Sequence, residues 1–294
     1  MRPDLLELLA YGKSIGLRMV ISTNGTLIDK EVAAKIKALE VSYVGISLDG
    51  MEAVNDKFRG VPGAYEKALS GIRNCYGVKQ KTGLRLTLSR ETARELPEIF
   101  DLIEKEGIER VCFYHLVYSG RGSAIQNEDL TQEEKRKVLD FIIEKTFDFQ
   151  KRGIKTEILT VDNHCDGIYL YRYMKDKNPI QAEEIMRLIS INGGNRSGVA
   201  ISAVDWEGNV YIDQFTKEIK LGNVREESFG HIWDGKGNEF LQKLRDRKTY
   251  LKGRCKDCKW LDQCNGNFRA RALSTSDIWN EDPACYFTDE EIHK

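Results

Sequence analysis

The sequence predicts an α/β protein whose parallel sheet is followed by a small cysteine-rich module. Short apolar segments alternate strictly with amphipathic helical segments up to about residue 152. Each apolar segment ends in polar residues or glycine, and four of the seven cysteines lie beyond residue 254. Such alternation with short loops builds a parallel sheet with helices packed against it, because parallel neighbours need crossover connections.

The elements follow in order. Residues 4–15 carry apolar positions at helical spacing, and Gly16 is placed to end the helix. Residues 18–26 (RMVISTNGT) form a short apolar run stopping at Asn24-Gly25, a buried strand. A helix is predicted over 28–39 and a second strand over 43–50 (YVGISLDG). The 64–77 helix precedes the 84–89 strand (LRLTLS). Helix 95–107 precedes strand 111–118, and a long helix spans about 131–152. Residues 155–160 read as one further strand, and an irregular stretch containing NGGNRSG (192–198) follows. A hairpin is predicted over 199–213, turning at Glu207-Gly208-Asn209, then a short helix near 228–246 and the cysteine cluster. The domains expected are therefore 1–160, a connecting segment 161–198, and a loop-rich module 199–294.

Ligand sites of parallel α/β sheets lie at the C-terminal ends of the strands. Here those ends are Thr23-Asn24-Gly25, Ser47-Leu48-Asp49-Gly50, Thr87-Leu88-Ser89 and His115. Turn chemistry alone also puts Asn, Asp and Gly at such positions.

The 45 basic and 46 acidic residues leave a formal charge of −1, so the sequence offers no basic excess for nucleic acid or an anionic membrane. Charged residues at 31% and hydrophobic ones at 41% exclude a disordered chain. No stretch approaches the ~18 apolar residues of a membrane span, and no apolar signal region follows Met1, so a cytoplasmic location is expected.

An odd cysteine count without a secretion signal argues against a disulfide framework. Cys255-x2-Cys258-x5-Cys264, with Cys285 further on, offers four thiolates that can close a zinc shell or anchor one [4Fe–4S] cubane. The uneven spacing suits a loop-wrapped cubane better, while spacing alone leaves zinc open. Cys75 and Cys112 sit in apolar contexts and read as small core hydrophobes. Cys165, in a polar loop, has no ligand set near it in sequence.

STNG (22–25), ISLDG (46–50), NDKFRG (55–60), GRG (120–122) and the cysteine pattern together resemble the radical S-adenosylmethionine (SAM) enzymes with a SPASM C-terminal extension. FYHLVYSGRG (113–122), TVDNH (160–164), NVYIDQF (209–215), LGNVRE (221–226) and CNGNFRARA (264–272) resemble their tetrapyrrole-modifying branch. That branch comprises the NirJ-like haem d1 biosynthesis proteins and the alternative-haem-pathway decarboxylases. The resemblance implies a partial (β/α)6 TIM-like barrel, in which SAM is cleaved to a 5′-deoxyadenosyl radical that takes a substrate hydrogen. It departs from the family at its start: neither the CxxxCxxC of the SAM-cleaving [4Fe–4S] cluster nor the GGEP-like turn is present. The expectation is an N-terminally truncated member lacking a strand–helix–strand unit of at least ~30 residues, and inactive by itself. Families with two auxiliary clusters place cysteines where this chain has Asp213 and Phe268, so one auxiliary [4Fe–4S] cluster is expected.

The resemblance further implies SAM contacts at Thr23, Asn24, Ser47 and Asp49, with Arg59 available for a carboxylate. A tetrapyrrole carries several carboxylates, for which Arg121 and Arg196 are the candidate partners. His115 is the candidate catalytic residue, as an iron ligand or proton donor, against the plain reading of a core histidine; His164 is open to the same two readings. The implied reaction removes side-chain carboxylate fragments from didecarboxysirohaem. Acetate decarboxylation toward iron-coproporphyrin ranks first and propionate removal toward haem d1 second. A reducing partner of flavodoxin or ferredoxin type is implied. A peptide-modifying SPASM maturase and a non-catalytic cluster- or zinc-binding module are the alternatives.

Overall fold

The computed structural model describes residues 2–293 and divides into two compact units. The first takes in the residues up to His115, with Glu128–Leu130 and Asp140–Val161; the second takes in Leu116–Asn127, Thr131–Leu139 and the residues from Asp162 onward.

The first unit is built on five parallel strands in sequential order: β1 (Val20–Thr23), β2 (Tyr43–Ser47), β3 (Thr82–Leu88), β4 (Arg110–His115) and β5 (Glu157–Val161). Helix α1 (Leu5–Ser14) precedes β1, and α2 (Lys30–Ala38), α3 (Glu52–Arg59), α4 (Ala64–Gly77), α5 (Arg90–Arg94) and α6 (Leu96–Glu106) lie between β1 and β4 in sequence. Asp29 caps α2 by accepting from the Val32 amide at 2.8 Å, and Ser89 with Thr92 forms a capping box for α5.

Side chains alternate across each strand, so the sheet has two distinct faces. Val44, Ile46, Leu84, Leu86, Val111 and Phe113 form the buried face. Phe100 of α6 stacks on Phe113 with ring centroids 5.6 Å apart. Each such side chain contributes about 1.5–3 kcal/mol on burial. The other face carries Ser22, Ser47, Arg85, Thr87 and Tyr114 and is only partly buried. Register aligns Ser22 with Gly45, Ser47 with Arg85 and Thr87 with Tyr114.

The second unit contains α7 (Arg121–Ala124) and the first residues of α8 (Gln132–Lys151), a helix whose remainder belongs to the first unit. The stretch after residue 161, expected to be irregular, forms helices α9 (Cys165–Lys175) and α10 (Pro179–Asn192). Asn178 caps α10 by accepting from the Gln181 amide at 3.2 Å, Pro179 opens it and Gly193 closes it in the left-handed region. A three-stranded antiparallel sheet follows, of β6 (Ala203–Val204), β7 (Asn209–Tyr211) and β8 (Lys220–Asn223). The predicted hairpin turn is there, with Gly208 at φ +86°. The single helix expected near 228–246 is broken at Gly235 (φ +74°) into α11 (Phe229–Asp234) and α12 (Glu239–Arg245). Leu241 and Leu244 of α12 pack with Ile212 and Ile278. The chain ends with short helices α13 (Leu261–Cys264), α14 (Arg269–Leu273) and α15 (Asp289–Ile292). Among the described residues no helix is long and apolar enough to cross a membrane.

Candidate functional site

Cys255, Cys258, Cys264 and Cys285 line one cavity, part of it open to solvent. Tight turns bring the first three together. The Cys258 amide donates to the Cys255 carbonyl at 3.4 Å, and the Cys264 amide to the Trp260 carbonyl at 2.9 Å. Beyond Cys264 the backbone reverses through Asn265, Gly266 and Asn267, all at positive φ, a conformation that Asn tolerates better than other side-chain-bearing residues. The Asn195 amide donates to the Cys264 carbonyl at 3.1 Å, and the Asn265 side chain donates to the Asn195 carbonyl at 2.6 Å. The NGGN loop thus wraps the third cysteine. Cys285 is placed by Asp282, whose carboxylate accepts from the Ala284 and Phe268 amides at 2.8 and 2.9 Å and pairs with Arg271 at 2.8 Å.

Gly194 is required where the loop crosses Cys264. It sits at φ +68°, and a Cβ there would lie 2.1 Å from the Cys264 carbonyl oxygen. Gly194→Ala is therefore expected to lower the melting temperature and to push Cys264 out of line, reducing bound iron; thermal unfolding and iron assay of the variant check both.

The fifth cysteine of the cavity was not apparent in the sequence. Cys165, expected in a polar and more exposed loop, is buried at the first turn of α9 and lines the same cavity. Its thiol donates to that of Cys285 at 3.6 Å. Hydrogen bonds to Cys264 and Cys285, with burial, push its pKa well above the ordinary thiol value, and the same bond lowers that of Cys285. Burial pushes Cys255 up to about 12 against the opposing charge of Arg269, and raises Cys258. Iron binds thiolates, so loading this cavity releases protons.

The donor set fits a cluster. Four thiols lining one cavity supply the ligand count that anchors a polynuclear iron–sulfur group. Where a second cluster would need cysteines, Asp213 accepts from the Phe215 and Thr216 amides at 2.9 and 3.0 Å, and Phe268 packs on Phe215 with centroids 5.4 Å apart.

The strand-tip residues are dispersed over several tasks. The Thr23 hydroxyl accepts from the Gly25 amide at 3.1 Å and Asn24 from the Thr26 amide at 3.2 Å, both turn contacts. Asp49 is buried, pairs with Arg59 and accepts from the Thr87 amide at 2.6 Å; it clasps the end of β2 to α3 and β3. Burial raises its pKa more than Arg59 lowers it. Ser47 is on the partly exposed sheet face. His115 is buried at the end of β4, where alternation puts it on the face of Phe113 and not on that of Tyr114. Arg121 begins α7 and Arg196 precedes Ser197; both are exposed. His164 donates its amide to Asn267 at 2.8 Å, and burial, with Arg271 nearby, lowers its ring pKa to about 4.

Arg85 went unnoticed in the sequence, although a charge in the middle of LRLTL is the signal that marks it. Its guanidinium donates to the Ser22 hydroxyl at 2.6 Å and lies 4.4 Å from the centre of the Tyr114 ring, while its aliphatic stem passes over Gly45. It presents a fixed cation on the sheet face that also carries Ser47.

Comparisons with known proteins agree with this geometry. The model of the Radical SAM superfamily matches residues 1–103, and that of the SPASM iron-sulfur cluster-binding domain matches 199–259. An Fe-coproporphyrin III synthase of Methanosarcina barkeri is 52% identical over 99% of this chain and 74% of its own length. A pre-heme d1 synthase of Dinoroseobacter shibae is 38% identical, over 99% and 72%. An AdoMet-dependent heme synthase of M. barkeri is 30% identical, over 97% and 79%. Among solved structures, AdoMet-bound anSMEcpe superposes with a TM-score of 0.70 at 19% identity, covering 96% of this chain and 71% of that one. Streptococcus suis SuiB bound to S-adenosylmethionine gives 0.71 at 15%, covering 96% and 62%.

Proposed function

Because the chain belongs to the radical SAM superfamily and carries its SPASM iron–sulfur domain, we propose that it serves the removal of acetate carboxylates from didecarboxysirohaem, giving iron-coproporphyrin III. The observation that carries this reading is the 52% identity to an Fe-coproporphyrin III synthase over 99% of the chain. Propionate removal toward haem d1 is the second reading, favoured by the 38% identity to a pre-heme d1 synthase.

In this reading residues 1–160 form the SAM and substrate region, and 199–294, joined through 161–198, form the auxiliary-cluster module. SAM and its cluster, when bound, supply the radical chemistry; the protein orients the substrate and shields it from solvent. Ser47, Thr23 and Asn24 are the polar groups nearest the strand ends for SAM, with Asp49 and Arg59 holding the β2 end in shape. Arg85 offers a planar fork for a substrate carboxylate, and Ser22 and Tyr114 hold that fork in one orientation before substrate arrives. Arg121 and Arg196 offer further cations, and further imidazoles come from His115 at the end of β4 and His164 at the start of α9. Cys255, Cys258, Cys264 and Cys285 hold the auxiliary [4Fe–4S] cluster, and a small reducing protein of flavodoxin or ferredoxin type supplies electrons.

The reading is tested by anaerobic absorbance titration of the iron-loaded chain with didecarboxysirohaem. The tetrapyrrole bands are expected to shift and saturate, and Arg85→Ala to weaken binding roughly 10- to 100-fold, the worth of about 1.5–3 kcal/mol for a charged hydrogen bond. A tetrapyrrole that leaves the bands unmoved, with the cluster loaded, overturns it. Product masses separate the two readings: carbon dioxide leaves each acetate as a methyl remains, whereas the second reading removes whole propionates.

A further inference from the structure

Cys165 is separated from the cysteine cluster by almost ninety positions of sequence, yet the fold builds a seat for it inside the cluster cavity. Three short segments make that seat: 163–165, 264–267 and 284–285. Asn163 accepts from the Cys165 amide at 3.2 Å and donates to the Ala284 carbonyl at 3.2 Å, which ties the cysteine to the residue beside Cys285. The Asn267 amide group donates to the Asn163 side-chain oxygen at 2.8 Å and reaches the Cys165 sulfur at 3.6 Å. The Asn267 carbonyl oxygen of the same side chain accepts from the His164 amide at 2.8 Å. Asn163 and Asn267 are both buried, so these bonds are made away from water and fix the loop closely. The outcome is a fully enclosed thiol whose S–H is directed at the Cys285 sulfur 3.6 Å away.

A buried thiol needs none of this to act as a core hydrophobe. Cys75, wholly buried on α4, has no such frame of side-chain amides among the described residues. Four cysteines already suffice for a [4Fe–4S] group, which leaves the fifth free to act on a ligand sulfur and not on iron.

We propose that Cys165 is a positioning residue of the auxiliary cluster: it donates its S–H to the Cys285 thiolate and thereby raises the reduction potential of the group that Cys255, Cys258, Cys264 and Cys285 hold. A hydrogen bond to a ligand sulfur draws electron density from it and stabilises the more negative, reduced state. Cys165 is not consumed. The inference rests on the cluster assignment made above, and is independent of which tetrapyrrole side chain reacts.

The test is a redox titration, followed by EPR, of the whole chain reconstituted with iron and sulfide. Iron content of the unaltered chain comes first; failure to hold about four irons would defeat the cluster assignment itself. Given that content, Cys165→Ala is expected to keep it and to titrate at a lower potential, with altered g-values. Cys165→Ser keeps a donor and is expected to fall between the two. A Cys165→Ala cluster with the parent potential and spectrum overturns the proposal, as does a Cys165→Ala chain that folds, by circular dichroism, but loses iron, since the residue would then be a ligand.

Discussion

Asp282→Ala is expected to destabilise the chain by about 3–5 kcal/mol, the range found when one partner of a buried ion pair is removed. Asp282 and Arg271 have no exposed side-chain surface, and the guanidinium meets the carboxylate through Nε at 2.9 Å and Nη2 at 2.8 Å. Removing the carboxylate strands a buried cation. It also orphans the amides of Phe268 and Ala284, which reach Asp282 at 2.9 and 2.8 Å. Arg271 would keep the carbonyls of Leu116 and Asp162, at 3.2 and 2.6 Å, and these dipoles compensate only part of its charge. Burial raises the Asp282 pKa, but Arg271 together with the Ala284 and Phe268 amides outweighs it and holds the carboxyl below its ordinary 3.8. The pair's contribution is therefore complete above that pH and is lost as the pH falls below it. Chemical denaturation near neutral pH measures the effect. In the double variant Arg271→Met with Asp282→Ala, the stranded charge is gone and the loss should be smaller than for Asp282→Ala alone. Equal losses would show that the amides, not the cation, carry the cost. Because the lost carboxylate also holds the amide of Ala284, the neighbour of Cys285, at 2.8 Å, iron content should fall along with stability.

The first unit was legible because its strands are short, apolar and punctuated. The runs around Val44, Leu84 and Val111 are fully buried on one face and partly buried on the other, and such strands read as nearly continuous hydrophobic segments. The helices at 161–198 were hidden by a weaker pattern. Ala182 is a buried position of α10, whereas Ile180, Leu188 and Ile191 are exposed, so apolar periodicity did not mark a core face. The cap at Asn178-Pro179 and the stop at Gly193-Gly194 were the better signals. For the site, local spacing revealed Cys255, Cys258 and Cys264 because a cluster loop is a local object. Cys165 was invisible for the opposite reason: its partnership with Cys285 spans 120 positions and is made by Asn163 and Asn267, residues that look like ordinary turn formers. Arg85 could have been found by asking why a charge interrupts an apolar strand. Asp49 and Arg59 show the converse: polar residues at a strand end that hold the loop together through each other.

Cys258→Ser is expected to abolish the auxiliary cluster. The reconstituted parent should bind about four irons and four sulfides per chain, with the absorbance and reduced EPR signal of a [4Fe–4S] group, and the variant should retain neither. Serine keeps the size and removes the thiolate that iron requires. The loss also has a stability signature. In the metal-free chain burial holds Cys255 at a pKa of about 12 and raises that of Cys258 above its ordinary 9.0, so the folded state resists their ionisation. Folded values above unfolded ones mean that stability is intact below about pH 9 and falls as the pH rises toward 12. Iron removes that liability, because the cluster takes the thiols as thiolates and binds only the folded chain. The melting temperatures of the iron-loaded parent and of Cys258→Ser should therefore diverge most on the alkaline side. One tightly held zinc per chain, no retained iron and a difference that does not grow with pH would instead make the module a structural zinc site and remove its redox role.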